Sequence, residues 1–356
     1  MPAKKLLRPT YPFVLLLGAG ASKGGLESHP SSPPIDMDFF DVANSLRGHG
    51  TPAIAKRVLR SVWELYRRTS GVGLEEYYRD IETRAAISTF AKPANKPKDW
   101  KRRKDDLEEL IRRVYIQTTA DLSERPPEAR ESLAHKFILK YLKSGSTIIT
   151  FNYDLIIEES FEDAKLWNPK DGYGTTAHRT TRGWCRKWLE KRNYKKGAKS
   201  KVRLLKLHGS LGWTLYKNRQ IRLKARPYTV RKNKTEQVSV LPPGWNKKIN
   251  VNPYKIFWRE ASLRLAKCKS LMIVGYSLPE TDLLAKSLFA EVVRLRASRK
   301  QYLDNLILVD PSDAVHERVI MLFTPALGPL GRVLRLSSIK DFVPEETLKP
   351  GQQADN

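Results

Sequence analysis

Four short motifs carry residue types that bind anions and move protons. Gly18-Ala19-Gly20-Ala21-Ser22 offers glycines, whose backbone turns sharply and brings N–H groups close to an anion, and a hydroxyl at Ser22. Its spacing is not the dinucleotide fingerprint, since the next glycines are Gly24 and Gly25, so it reads equally as a strand-to-helix turn. Phe151-Asn152-Tyr153-Asp154 sets an amide and a carboxylate two residues apart. That pair suits a ligand amide and a bound water, and either residue could instead cap a helix. Leu207-His208-Gly209-Ser210 holds the one histidine of six expected just past a buried strand. An imidazole there can act as a general base near neutral pH, and the alternative is a core histidine bonded to backbone. Gly275-Tyr276-Ser277-Leu278-Pro279-Glu280-Thr281-Asp282 offers Gly275 and Ser277 to a phosphate or ribose, or else a helix start led by Pro279 and capped by Thr281 or Asp282. Asp310, just before Pro311, can accept bonds from ribose hydroxyls or simply make a turn.

The elements that must position these residues are legible as apolar runs. Phe13–Leu17, 147–151, 202–207, Ser270–Val274 and 305–309 read as buried strands, with 333–336 as a sixth. Apolar residues at three- and four-residue spacing predict helices between Asp36 and about Leu142, interrupted by a polar break over 91–103, and another helix over 283–296. A helix is expected just after Asn152. Strands alternating with helices predict an α/β fold: a Rossmann-like parallel sheet with helices on both faces, plus a helical insertion and a basic insertion. In such a sheet the ligand crevice lies outside the carboxyl ends of the strands, so motifs far apart in sequence should converge. The expected organisation is a core of 10–34, 146–178, 202–213 and 250–345, a helical insertion over 35–145, basic insertions over 179–201 and 214–249, and a flexible tail over 346–356.

In their order, GAGAS, TFNYD, LHGS, VGYSLPETD and a strand ending in Asp310, these motifs resemble the sirtuin-like family, specifically its bacterial NAD-hydrolase branch in antiphage defence. The resemblance implies NAD+ as substrate, cleaved at the nicotinamide–ribose bond to nicotinamide and ADP-ribose, and a defence effector that depletes NAD+. It implies that Gly18, Ala19, Gly20 and Ser22 hold the diphosphate. Asn152 faces the nicotinamide ribose and helps place a water, and Asp154 holds the carboxamide. His208 is the catalytic histidine. Gly275 and Ser277 lie on the phosphate and adenosine side, and Asp310 on the adenine ribose. It further implies an oligomer, and pairing with a partner ATPase. Protein-deacylating sirtuins carry a four-cysteine zinc module after the catalytic histidine; here only Cys268 follows His208, so no zinc is expected. The family's Gly-Ile-Pro-Asp-Phe-Arg stretch is also missing, replaced by Gly25-Leu26-Glu27-Ser28 and a Pro-rich loop. NAD-dependent deacylation is therefore the weaker enzymatic alternative.

Composition bounds the rest. The 356 residues allow two or three structural units. Hydrophobic residues at 40% exclude a disordered polycation, and two cysteines exclude a disulfide framework. No run reaches the roughly 18 apolar residues of a membrane span. The N-terminal Lys4-Lys5-Leu6-Leu7-Arg8 and the apolar run after it imitate a secretory signal, but Pro12 breaks the pattern and the run is short. The expected location is cytoplasmic. The formal charge is +27, and +20 of it falls in two stretches: 179–206, with twelve bases and one acid, and 214–248, with ten and one. Trp184, Trp188, Tyr194, Tyr216, Tyr228 and Trp245 are interleaved with these bases. That mixture suits single-stranded nucleic acid or an acidic partner bound through Arg179–Lys248, or merely a solvated face. The rival to the enzyme reading is a nucleic-acid-binding module with a degenerate NAD site.

Overall fold

A computed structural model of the chain describes residues 9–24, 33–47, 51–88, 98–120, 135, 138–175, 183–215, 220–224, 239–241 and 249–339. The basic stretch before Pro9, most of the Pro-rich loop, Arg179, Tyr216, Tyr228, Trp245 and the expected tail lie outside the described residues.

Six strands form one parallel sheet: β1 (Phe13–Leu17), β2 (Thr147–Thr150), β3 (Arg203–Lys206), β8 (Ser270–Val274), β9 (Leu303–Val309) and β10 (Leu327–Leu336). All five side chains of β1 and of β8 are buried, as expected for strands covered on both faces. The order is β3-β2-β1-β8-β9-β10, so the chain leaves β1 first toward β2 and later, on the other side, through β8. This is the Rossmann-like arrangement, and its switch point falls between β1 and β8, where such sheets open a crevice at the carboxyl edge.

The helices described between β1 and β2 include α1 (Ala19–Gly24), α2 (Phe39–Ser45), α3 (Thr51–Tyr66), α4 (Leu74–Ile87) and α5 (Lys98–Ala120). Helices α2 to α5 bury their own core of Phe39, Phe40, Tyr77, Tyr78, Leu110 and others, and Tyr153 and Leu211 join it. Those two residues lie just past β2 and β3, so the helical unit sits on the carboxyl edge of the sheet. The polar break expected over 91–103 is shorter than its composition implied. Helix α5 starts at Lys98 because charge spacing supports it: Asp99 pairs with Arg102 and Arg103, and Arg103 also reaches Glu64 on α3.

Further along come α6 (Ile156–Ser160), α7 (Trp184–Lys191), the short strands β4 (Gly209–Ser210), β5 (Trp213–Leu215), β6 (Ile221–Leu223) and β7 (Ser239–Val240), and then α8 (Tyr254–Lys267), α9 (Leu283–Ser298) and α10 (Asp313–Phe323). The helix expected directly after Asn152 begins four residues later. Strand β9 starts two residues before the apolar run, with Leu303 paired to Leu327 of β10, and Asn305 is satisfied inside the sheet by the Ser270 hydroxyl at 2.9 Å. Strand β10 begins six residues early. Its first half is an exposed edge interrupted by a bulge between Leu327 and Arg332, where Gly328, Pro329 and Gly331 hide the strand pattern.

Two of the three interleaved aromatics of the first basic stretch are core residues. Trp184 and Trp188 are buried at 9% and 2% exposure, with the Trp188 indole donating to Glu158 O at 2.9 Å. Their spacing on α7 is that of an amphipathic helix facing the core, a reading that the surrounding bases masked. Among the described residues, no helix is long and apolar enough to cross a membrane.

Candidate functional site at the carboxyl edge of the sheet

The loops after β1 and β8 interlock through glycine. Gly18 N–H donates to Val274 O at 3.0 Å and Gly20 N–H to Gly275 O at 2.9 Å. A Cβ on Gly18 would lie 2.3 Å from Gly275 O, and one on Gly275, whose φ is +57°, would lie 2.2 Å from Ala21 N. The glycines thus let two backbones touch at the switch point, and the Gly18 and Gly20 amides are already taken by protein carbonyls. Gly275→Ala should cost about 1–2 kcal/mol for its left-handed backbone, and more for the overlap. Gly145→Ala, at φ +89° with open space around it, should cost the backbone part alone. Denaturant midpoints of the two variants check this; equal losses would refute the close-approach argument.

Ser22, Asn152 and Asp154 form one network between the ends of β1 and β2. The Ser22 hydroxyl donates to Asp154 Oδ2 at 2.8 Å. Asn152 Nδ2 donates to Gly18 O at 2.8 Å and to Ser22 Oγ at 2.9 Å. Both hydrogens of that amide are thereby used, which leaves Oδ1 as the acceptor Asn152 can offer to a ligand or water. Asp154 is 2% exposed, and its Oδ1 accepts Ile156 N–H at 3.0 Å, a turn that leads into α6, whose N-cap is Leu155 and not Asp154. Thr150 Oγ1 accepts Asn152 N–H at 3.0 Å and donates to Leu17 O at 3.1 Å, which fixes the backbone under Asn152.

His208 sits past β3 at 5% exposure, boxed by aromatic rings. Phe151 lies 5.0 Å away, Tyr153 6.2 Å and Trp258 6.3 Å, centroid to centroid. Phe151 and Tyr153 flank Asn152 in sequence, so the β2 and β3 motifs meet. The His208 carbonyl accepts Leu241 N–H at 2.8 Å, next to the β4–β7 pair, so the second basic stretch returns to fasten the histidine backbone. His208 Nε2 lies 4.0 Å from Asp282 Oδ2. The same carboxylate accepts the Tyr276 hydroxyl at 3.2 Å and caps α9 through Ala285 N–H at 3.4 Å. Asp282, legible in sequence only as a cap, is therefore also the carboxylate facing the histidine. Burial, then Asp282, pushes the Tyr276 hydroxyl well up from its ordinary value, so Tyr276 stays a neutral donor.

One neighbour came from a segment that sequence did not connect to the site. Thr281 donates to Glu75 on α4, tying the helical unit to the loop after β8. Beneath Asp154, Lys206 Nζ donates to the Asp154 carbonyl and, at 2.9 Å, to Glu158, both side chains being 0% exposed. The remaining expected residues lie further along the edge. Ser277 is exposed. Asp310 is half-buried and accepts Ser312 N–H at 3.0 Å, the turn alternative; desolvation raises its carboxyl, opposed by that amide. Among the described residues, no group of three His, Cys, Asp or Glu could hold a metal ion.

Residues 146–319 match the family model described as a SIR2-like domain, a span from β2 into α10 that contains Asn152, Asp154, His208, Gly275 and Asp310. This supports a sirtuin-like family. A solved structure described as "Structural Basis for the Mechanism and Regulation of Sir2 Enzymes" is similar at 14% identity, covering 92% of this chain and 86% of its own, with a TM-score of 0.36. No curated protein matches the chain.

Proposed function

We propose that this chain cleaves the nicotinamide–ribose bond of NAD+ and releases nicotinamide and ADP-ribose. The observation that carries the reading is the meeting of His208 with Phe151 and Tyr153, the two neighbours of Asn152, and with Asp282, at the carboxyl edge of a Rossmann-like sheet. The SIR2-like match over 146–319 supports NAD+ as the ligand.

In this reading the C–N bond breaks with its electron pair going to the nicotinamide ring, which leaves neutral. Water then bonds to the ribose cation and gives up a proton. Asn152 Oδ1 accepts a hydrogen from that water, since both its N–H donors are engaged elsewhere. His208 takes the proton, and Asp282 faces the imidazolium that forms. Ser22 and Asp154 orient the Asn152 amide, and the rings of Phe151, Tyr153 and Trp258 shield the imidazole from bulk water. Positioning and fixed dipoles supply most of the acceleration. Depletion of NAD+ as an antiphage output rests on the resemblance of the ordered motifs.

Purified full chain incubated with NAD+ should release nicotinamide, and Asn152→Ala should slow release at least about tenfold, the loss of one positioned hydrogen bond in the transition state. Unchanged release in Asn152→Ala and His208→Ala together would sink the assignment.

A further inference from the structure

The largest feature the site leaves unexplained is the charge on α7 and the segment after it. Helix α7 turns Trp184, Cys185, Trp188 and Leu189 into the core, which directs Arg186, Lys187, Glu190 and Lys191 to solvent. Lys195, Lys196, Lys199 and Lys201 follow, all exposed, before β3 begins. Some bases elsewhere are matched by acids, as in Arg57–Asp106, Lys104–Glu82 and Arg113–Glu109. Within 183–206 the ion pairs among the described residues are Arg186–Glu190, Arg192–Glu159, Arg203–Glu260 and Lys206–Glu158. None of them engages Lys187, Lys191, Lys195, Lys196, Lys199 or Lys201. The acids beside these six ammonium groups are Glu190, paired with Arg186, and Asp171, which accepts the Ser200 N–H and hydroxyl, so positive charge predominates and the face suits an external anion.

The surface chemistry selects the kind of anion. A helix that lies on a membrane inserts an apolar face, and the apolar face of α7 is in the protein core. The core of a protein–protein interface is rich in aromatics and poor in lysine, whereas no large exposed hydrophobic residue falls within 183–203. Single-strand binders stack bases on aromatic rings, and here Trp184 and Trp188 are buried, while the Tyr194 ring is covered by Lys170 at 4.5 Å. Flexible point charges without rings or apolar anchors match a phosphate backbone, whose contacts carry no sequence information. We propose that α7 and residues 192–201 bind the backbone of duplex nucleic acid, without sequence preference.

The test is fluorescence anisotropy of the full chain with a short labelled DNA duplex over rising salt. Log affinity should fall linearly with log salt. Replacing Lys191, Lys195, Lys196 and Lys199 with Gln should weaken binding at least about tenfold near 50 mM salt and reduce the slope by about 3–4. These exposed side chains should leave the denaturation midpoint unchanged. Absence of binding at low salt, an unchanged slope in the variant, tighter binding to a single strand of the same length, or equal competition by polyglutamate of matched charge would each overturn the proposal. Nicotinamide release is not measured, so the outcome is independent of the catalytic reading.

Discussion

His208→Ala is expected to cut nicotinamide release from NAD+ by about 10²–10⁴-fold, the range contributed by a positioned general base. The loss should appear in kcat with KM nearly held, because the imidazole acts on the developing water proton and not on the bound dinucleotide. The geometry behind this is the box around the ring: Phe151 at 5.0 Å, Tyr153 at 6.2 Å and the Asp282 carboxylate 4.0 Å from Nε2. Asp282→Asn keeps one oxygen to cap Ala285, puts an amide N–H where the other oxygen accepts Tyr276, and removes the charge facing the imidazolium, so its turnover should lie between those of wild type and His208→Ala. Steady-state assays of the three proteins decide the matter; wild-type kcat in His208→Ala would remove the histidine from the chemistry.

Lys206→Met is expected to destabilise the fold by about 3–5 kcal/mol, as happens when one partner of a buried ion pair is deleted. Lys206 and Glu158 are both 0% exposed and 2.9 Å apart, and Tyr173 donates to the same carboxylate at 3.0 Å. Burial raises the Glu158 carboxyl above its ordinary value, while Lys206 opposes the rise by charge and hydrogen bond. Without Lys206 the carboxyl moves further up. A carboxyl that holds its proton more tightly in the fold than in the unfolded chain stabilises the fold at low pH, and that contribution is lost as pH rises through the folded value. The variant should therefore lose less stability relative to wild type at pH 5 than at pH 8. Lys206→Met with Glu158→Gln removes both charges while keeping an acceptor for Tyr173, and should recover much of the loss. Denaturant unfolding of both variants at the two pH values is the measurement. A single variant as stable as wild type, or a pH trend of opposite sign, would contradict the account.

The strands were legible because a segment buried on both faces has little choice of composition. Phe13–Leu17 and Ser270–Val274 are apolar at nearly every position, and both lie where the pattern puts them. The first half of β10 escaped because an exposed edge with a bulge has no such constraint. Trp184 and Trp188 were misread for a related reason: charge dominated the local composition, and only packing shows which face of α7 is covered. Gly18 and Gly20 were marked as positions for close backbone approach, and Gly275 as a contact to phosphate or ribose. The sequence suggested a ligand as the thing approached, and the fold supplies each loop to the other.

Local composition thus specified the sheet class, the residue at the end of each strand, and the chemistry each could offer. It did not specify the partners. Ser22 reaches across 132 positions to Asp154, and His208 lies against Asp282 from a different strand end. Such pairings follow from the order β3-β2-β1-β8. Burial periodicity says that a strand is covered, and not which strand lies beside it. Only the closed fold, where each buried polar group must find its acceptor, decides that.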